Sequence, residues 1–187
     1  MAQNDALVVV PGTGYLWTGT VAATAPTAAQ LATFVSAGTI PGTFTPLGHT
    51  DLDNIVTFGQ DGGDTTTKGS WQTSSLRQVQ TSKAVDYYTI KSLQLLDKDV
   101  LSLYFGGGTP GTGTFDVPDS ATIQYRSVAL VMVDGTTPLC FYSASAAIKR
   151  ESALEGASDD LSKVPLRITP VKNGTNPLIR LVSAALA

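Results

Sequence analysis

The chain has 187 residues, of which 42% are hydrophobic and 14% are charged. This composition is too apolar for a disordered chain, and no apolar run reaches the roughly 18 residues that a membrane-spanning helix needs. The net charge of −3 argues against a protein that grips nucleic acid through phosphate contacts.

The N-terminal segment MAQNDALVVV predicts no secretory signal, because it lacks a positively charged start and its apolar run stops at Pro11. We therefore expect the chain to fold in the cytoplasm. The single cysteine agrees with that compartment, since no intrachain disulfide can form. Its apolar setting, PLCFY, predicts that Cys140 is a buried and unreactive thiol.

Two glycine-rich segments resemble nucleotide-binding loops only in part. PGTGYLW, which follows the apolar ALVVV, has Trp17 in place of the third glycine, and no helix follows it. It therefore predicts a strand flanked by glycine turns. GGGTPGTG at 106–113 lacks the Lys-Ser/Thr ending of a phosphate loop, so we expect a flexible connector there. Neither segment predicts a bound cofactor.

Two segments predict helices. In PTAAQLATFVSAG, Thr27 and Gln30 can form a capping box, and Gly38 can end the helix. In LLDKDVLSLYFGGG, Asp97 can cap a helix that ends abruptly at Gly106. We expect the second helix to pack across a sheet.

The rest of the chain predicts β structure. KGSWQTSSLRQVQ and AVDYYTIKSLQLL indicate two long, polar strands, and two longer runs flank Asp134 and Gly135, a strong hairpin signal. VPLRITP alternates apolar and polar residues, and a turn leads from it into LIRLV. The acidic segment ESALEGASDDLSK predicts a loop or hairpin tip. Polar strands of this kind leave their edges open, so we expect another copy of the chain to supply the missing neighbour.

The stretch PLGHTDLDN holds the only histidine, and an extended strand would point His49, Asp51 and Asp53 the same way. A zinc site normally needs further nitrogen or sulfur ligands, and Ile55 breaks the EF-hand pattern. No serine stands in a G-x-S-x-G turn. We therefore expect these residues to make turn and interface hydrogen bonds, with no metal site and no catalytic residue.

LGHTDLDN, GGDTTTKGSWQTSSLR, LLDKDVLSLYFGGG and ALVMVDG, in that order over most of the chain, resemble the major tail protein, or tail tube protein, of siphophages that infect actinobacteria. The resemblance implies a two-sheet β-sandwich with one flanking α-helix and a possible second short helix. It also implies a single tail-tube domain over 1–187, with an extended N-terminal arm, an inter-ring loop and a C-terminal strand. Long hairpins from neighbouring subunits would join into one β-barrel.

The function implied by this resemblance is structural, with no enzymatic activity and no cofactor. Stacked hexameric rings would form a non-contractile tail tube, the conduit for DNA ejection. The implied partners are other copies of the chain, a tape-measure protein in the lumen, and tail terminator and tail-tip proteins. Double-stranded DNA would pass without specific binding, and we expect no membrane binding by this chain. The protein would be found in the virion tail, and in the host cytoplasm during assembly.

The resemblance also suggests roles for particular residues. We expect lumen-lining hairpins within 68–95 and 139–171, and contacts between rings at a loop over 59–70 and at the segment 48–54. The candidate inter-subunit contacts are His49, Asp51, Asp53, Trp71 and Leu76. The candidate lumen-facing acidic residues are Glu151, Glu155, Asp159 and Asp160, which would repel the DNA backbone.

Two other functions stay open at this point. A β-sandwich head decoration protein, or another virion surface protein, would share the composition but form compact particles and never filaments. A hydrolase or metal enzyme built around His49 and Asp51 is the least favoured alternative.

Overall fold

Two helices and twelve strands make up the described part of the computed structural model, which covers residues 8–51, 56–154, 156 and 161–186. The helices are α1 (Ala28–Ala37) and α2 (Lys98–Phe105). The strands are β1 (Thr13–Gly19), β2 (Phe44–Pro46), β3 (Thr57–Asp61), β4 (Thr65–Lys68), β5 (Arg77–Gln80), β6 (Val85–Ser92), β7 (Thr109–Pro110), β8 (Phe115–Asp116), β9 (Gln124–Asp134), β10 (Thr137–Arg150), β11 (Val164–Pro170) and β12 (Arg180–Val182). This mainly β content confirms the expected fold class.

One antiparallel sheet contains eight of these strands, in the order β2-β1-β9-β10-β11-β6-β3, with β12 also paired to β10. In a flat sheet β3 would lie roughly 14 Å from β10, since neighbouring strands are about 4.8 Å apart. The ring of Phe58 in β3 nevertheless lies 5.1 Å from the ring of Phe141 in β10. The sheet is therefore strongly curved, which is consistent with the expected β-sandwich.

One edge of β10 pairs with two different strands, and an irregularity in β10 separates the two pairings. The pairing of β10 with β9 shifts register between Ser143 and Ala146. Before the shift, residues 140–142 pair with β12, and after it residues 146–150 pair with β11. The carbonyl oxygens of the bulge have partners outside β9, because that of Ala144 accepts a hydrogen bond from the N–H of Ala22 and that of Ser145 accepts one from the N–H of Val171.

The buried residues form two apolar cores, each covered by one helix. The α2 residues Val100, Leu103 and Tyr104 join a core that includes Tyr88 and Ile168. The second core lies under α1 and is made of Trp17, Leu31, Phe34, Phe44, Val131, Cys140, Tyr142 and their neighbours. The expectation that the second helix packs across the sheet is confirmed, since α2 contacts β10 and β11.

Both helix boundaries follow from the caps read in the sequence. The Thr27 side chain accepts from the backbone of Gln30, whose side chain accepts in return, and Gly38 closes α1 with φ 69°. Asp97 accepts from the N–H groups of the residues two and three positions later in α2. Gly106 ends this helix with φ 70°, a left-handed conformation that suits glycine.

The hairpin between β9 and β10 is confirmed, but its two loop residues are Gly135 and Thr136, one position beyond the expected pair. Gly135 alone has a positive φ, 56°, which matches a type II′ turn. Cys140 in β10 is fully buried, as expected, and burial raises the pKa of its thiol to about 12. No helix in the described ranges is long and apolar enough to cross a membrane.

The long strand expected over KGSWQTSSLRQVQ is wrong. A strand ends at Lys68 and the next begins at Arg77, because the N–H groups of Ser70 and Thr73 each donate to the carbonyl oxygen of the other. The Ser70 hydroxyl also accepts from Thr73 N–H, a local hydrogen bond that competes with strand pairing.

One further expectation is wrong, and the strand expected over PGTGYLW is present as β1. The connector at 106–113 contains β7, which pairs with β8, so it begins a small hairpin. The N-terminal strand β1 lies within the glycine segment, and Val8, Val9 and Val10 before it are exposed and outside any strand. Burial of Leu16 and Trp17 fixes β1 there, where all seven of its residues pair with β9.

Gly19 lies where β1 approaches the segment before β2 too closely for a side chain. A Cβ at this position would lie 2.6 Å from the Thr43 carbonyl oxygen and 2.8 Å from the Ser127 hydroxyl. We expect Gly19→Ala to lower the free energy of unfolding by about 1–3 kcal/mol through overpacking. Urea denaturation of dilute protein measures this. Gly42→Ala is the matched control, since its Cβ would meet open space. Equal stability of the two variants would contradict the close approach.

Candidate functional site

The longest stretch without a buried residue in the described part of the chain is a hairpin that extends beyond the pairing of β3 with β6. We call residues 62–84 the distal hairpin. Asp64 joins its two sides, because its carbonyl oxygen accepts from the N–H and hydroxyl of Thr81 and its N–H donates to Ser82 Oγ. Strands β4 and β5 then pair from Thr65 to Lys68. No residue of the distal hairpin is buried, and two-stranded hairpins are marginally stable in water.

Large apolar side chains lie at the tip of the distal hairpin. Trp71 is 101% exposed and Leu76 is 67% exposed. Burial of a Trp side chain removes roughly 150–250 Å² from water, so its full exposure leaves a large stabilising contribution unused in the single chain. Both residues were candidate inter-subunit contacts, and their exposure is what such contacts require before assembly.

The distal hairpin is basic although the chain is acidic. It carries Lys68, Arg77 and Lys83, and no acidic residue lies between Asp64 and Asp86. Sequence reasoning missed this patch because it considered only net charge. The loop expected at 59–70 is also wrong, since β3 and β4 occupy most of it. That segment and much of 68–95 are the two sides of one hairpin.

Arg167 fixes the base of the distal hairpin. Its guanidinium pairs with Asp61 in β3, lies 3.7 Å from a carboxylate oxygen of Glu151, and sits 3.5 Å above the ring centre of Tyr87 in β6. The Arg167 side chain is 15% exposed, so solvent screens these contacts only in part. Nothing in the sequence marks this residue, because its three partners come from distant segments.

The segment that holds His49 runs beside the end of β6. The His49 carbonyl oxygen accepts from Leu93 N–H, and Asp51 N–H donates to the Lys91 carbonyl oxygen, both at 2.9 Å. Lys163 Nζ lies 3.3 Å from Asp51 Oδ2, an ion-pair distance without hydrogen-bond geometry.

The candidate residues of this segment do not share an environment. His49 is exposed and Asp51 is buried, and Asp53 lies outside the described residues. Within the described ranges, no three His, Cys, Asp or Glu side chains come together as metal ligands would.

The acidic candidates lie in the connection between β10 and β11. Glu151 pairs with Arg167, whereas Glu155, Asp159 and Asp160 lie outside the described residues. The described residues of this connection form no regular strand before Lys163, in line with the expected loop or tip. The flanking strands are largely buried, so within the 139–171 hairpin only this connection and the ends of the strands are free to face a lumen.

Comparison with known proteins decides the family. The whole chain, residues 1–187, matches the family model described as phage tail tube protein. The chain belongs to this family. It is 34% identical to the major tail protein Gp23 of Mycobacterium phage L5 over 174 residues, covering 90% of this chain and 87% of that protein. The major tail protein Gp23 of Mycobacterium phage D29 is also 34% identical, over 176 residues and the same shares.

This membership confirms the resemblance read from the sequence. A phage tail tube protein is a structural component of the virion tail and not an enzyme, so the hydrolase alternative is excluded. Self-assembly and contact with other tail components follow from the same membership. In this tail tube protein, the distal hairpin is the described segment that gains least from burial within its own chain.

Arg167→Met tests how the base of the distal hairpin is held. We expect amide hydrogen exchange in β3 and in Val85–Ser92 to become about tenfold faster or more, because the pair with Asp61 and the contact with Tyr87 are lost. Mass spectrometry of the unassembled protein measures the exchange. Arg126→Met, an exposed arginine on β9, is the matched control. Unchanged exchange in Arg167→Met would refute the role of Arg167.

Proposed function

We propose that this chain forms stacked hexameric rings that make the wall of a non-contractile tail tube, the conduit for DNA ejection. The observation that supports this most is a long hairpin with no buried residue in a member of the tail tube family. Ordering such a hairpin costs conformational entropy, which contacts with neighbouring copies would offset. The whole chain, 1–187, would act as one tail-tube domain with an extended N-terminal arm, an inter-ring contact and a C-terminal strand.

The contacts between copies are proposed at two places. The distal hairpin, with Trp71 and Leu76, would bind a neighbouring subunit. The segment 48–54 would dock on another subunit through His49, with Asp51 and Asp53 fixing its turn. The exposure of His49 and the backbone hydrogen bonds that hold its segment to the end of β6 support this role.

The lumen surface is proposed at the β10–β11 connection, with Glu151, Glu155, Asp159 and Asp160 repelling the DNA backbone. Hairpins of neighbouring subunits would close into one barrel, which removes open strand edges such as that of β3. The hairpin within 68–95 is the other candidate for the barrel. Its three cations argue against placing the distal part beside DNA, because strong phosphate contacts would slow passage.

The proposed partners follow from this architecture. A tape-measure protein would fill the lumen while subunits add in the host cytoplasm, and terminator and tip proteins would bind the two ends of the tube. Double-stranded DNA would pass through without sequence-specific contacts.

Replacing residues 69–76 by Asn-Gly tests the role of the distal hairpin in assembly. Lys68 and Arg77 are paired, so a two-residue turn closes the hairpin without Trp71 or Leu76. We expect a folded protein that forms no tubes, whereas the wild type forms hollow tubes of uniform width in negative-stain electron microscopy.

The matched control replaces residues 111–114 by Asn-Gly, which shortens the loop of the β7–β8 hairpin between the paired Pro110 and Phe115. This variant should form tubes. Tubes from the 69–76 replacement would exclude its tip from assembly. Compact wild-type particles that stay compact even with a tail-tip extract would contradict the stacked-ring proposal.

The acidic lumen predicts an effect on DNA passage. The variant E155Q/D159N/D160N keeps side-chain size but removes three charges, and it leaves the Glu151–Arg167 pair intact. We expect virions that carry it to assemble normally and to eject DNA several-fold more slowly, because repulsion of the phosphates is reduced. Time-resolved fluorescence of a DNA dye measures ejection. Unchanged kinetics would place these carboxylates away from the DNA.

A further inference from the structure

The inner face of the curved sheet ends in an open groove lined by aromatic and aliphatic side chains. We call it the aromatic groove and define it by Phe58, Tyr88, Phe141, Ile179 and Leu181. The Phe58 ring lies 5.7 Å from Tyr88 and 5.1 Å from Phe141. The groove encloses about 510 Å³, which is within the usual size range of binding pockets.

The aromatic groove is an uncovered end of an apolar core. Tyr88 is buried, but Phe58 and Leu181 are each 47% exposed. The two residues lie on β3, which ends the sheet, and on β12, which pairs only with β10 among the described strands. An apolar surface of this kind between two strand edges marks a binding site.

We propose that the aromatic groove binds the tip of the distal hairpin of a second copy, with Trp71 inserted among the groove side chains. This inference rests on the proposed function, since it requires copies of the chain to assemble. It assigns the partner surface for the most exposed aromatic residue in the described part of the chain.

The occupant has to come from another copy because the hairpin holds its own tip away. Strands β3 and β4 together hold nine residues, which span roughly 30 Å at about 3.3 Å per residue, although Gly62 and Gly63, both with positive φ, interrupt the ladder between them. Pairing of β3 with β6 and of β4 with β5 keeps each of the two ladders extended and places the tip beyond the end of the sheet. Trp71 makes no contact with its own groove, as its full exposure shows.

Charge favours the same pairing. Asp86 lines the aromatic groove and accepts a hydrogen bond from Gln60 at 2.8 Å, and it remains exposed. Lys68 and Arg77 flank the tip that carries Trp71, with no carboxylate beside them in sequence. A basic tip that enters a groove lined in part by Asp86 gains electrostatic complementarity, which helps to orient the two copies and speeds their encounter.

The contact is heterologous, because the tip and the groove are different surfaces of one chain. Each copy therefore carries one donor tip and one acceptor groove, so the contact repeats from copy to copy without self-pairing. Repetition of this kind builds a continuous wall. A two-fold contact would instead stop at a dimer.

Disulfide trapping between two variants that each carry one introduced cysteine tests the pairing. Trp71→Cys and Leu181→Cys chains are mixed, assembled and oxidised; the native Cys140 is fully buried and does not compete. We expect a disulfide between the two different chains, since a tip in the groove brings their Cα atoms within about 7 Å. Leu96→Cys, which is 96% exposed, replaces Trp71→Cys in the control mixture and should give at least about tenfold less product.

A second measurement does not need the cysteine variants to assemble. Trp17 is already fully buried, so a change in tryptophan emission on wild-type assembly reports Trp71. We expect a blue shift that is absent in Trp71→Phe. Leu181→Ser should raise the protein concentration needed for assembly about tenfold or more, because a buried leucine contact is lost. Leu178→Ser is the matched control, with the same 47% exposure outside the groove.

The outcomes separate this inference from the proposed function. Wild-type tubes with no Trp71→Cys to Leu181→Cys product and no blue shift would overturn the groove pairing and leave the tube intact. Equal assembly of Leu181→Ser and Leu178→Ser would overturn it as well. A wild type that never forms tubes would overturn the proposed function itself.

Discussion

The bulge in β10 is the constraint on which the rest of the structure depends. It lets β12 and β11 pair in turn along one edge of a single strand, and the sheet bends at this point. Ser143 Oγ lies 3.0 Å from the Ser145 carbonyl oxygen and 2.8 Å from that of Leu178, so it ties the bulge to the segment before β12. Bending brings β3 back toward β10, and the aromatic groove opens where β3 and β12 fail to meet.

The curved body, by which we mean the eight-stranded sheet and its two helices, is stabilised by contacts within the chain, whereas the distal hairpin is not. The body buries two apolar cores within the single chain, and these supply its main stabilising contribution. The distal hairpin gains almost no burial in the single chain and exposes Trp71 and Leu76 to water. Its stabilising contacts have to come from outside the chain, which couples the ordering of this segment to assembly. In the proposed tube, the distal hairpin would therefore gain its stability from neighbouring copies.

Local chemistry explains what the sequence predicted well. The caps at Thr27 and Asp97 and the turn at Gly135 depend on neighbouring residues, so they were readable directly. The break between Lys68 and Arg77 was missed because hydrogen bonds between Ser70 and Thr73 overrode a polar strand pattern. Contacts between distant segments carry no such local signal.

For the candidate site, the exposure of Trp71 fits its choice as a contact. The two-residue spacing of His49 and Asp51 predicted that their side chains point the same way, but one side chain is exposed and the other is buried. Arg167 shows why the rest of the site could not be predicted from the sequence. Its partners Asp61, Tyr87 and Glu151 come from three segments that only the folded sheet brings together.

The charge distribution bears on the proposed passage of DNA through the tube. An acidic chain with a basic hairpin tip has separated its charges, and separated charges orient neighbours as they approach. If the cations of the tip pair with a carboxylate such as Asp86 of a neighbouring copy, they are no longer free to bind the phosphates of DNA. The same contact that joins two copies would then also remove the groups most able to bind phosphate. Assembly and free passage of DNA would follow from one arrangement of charge.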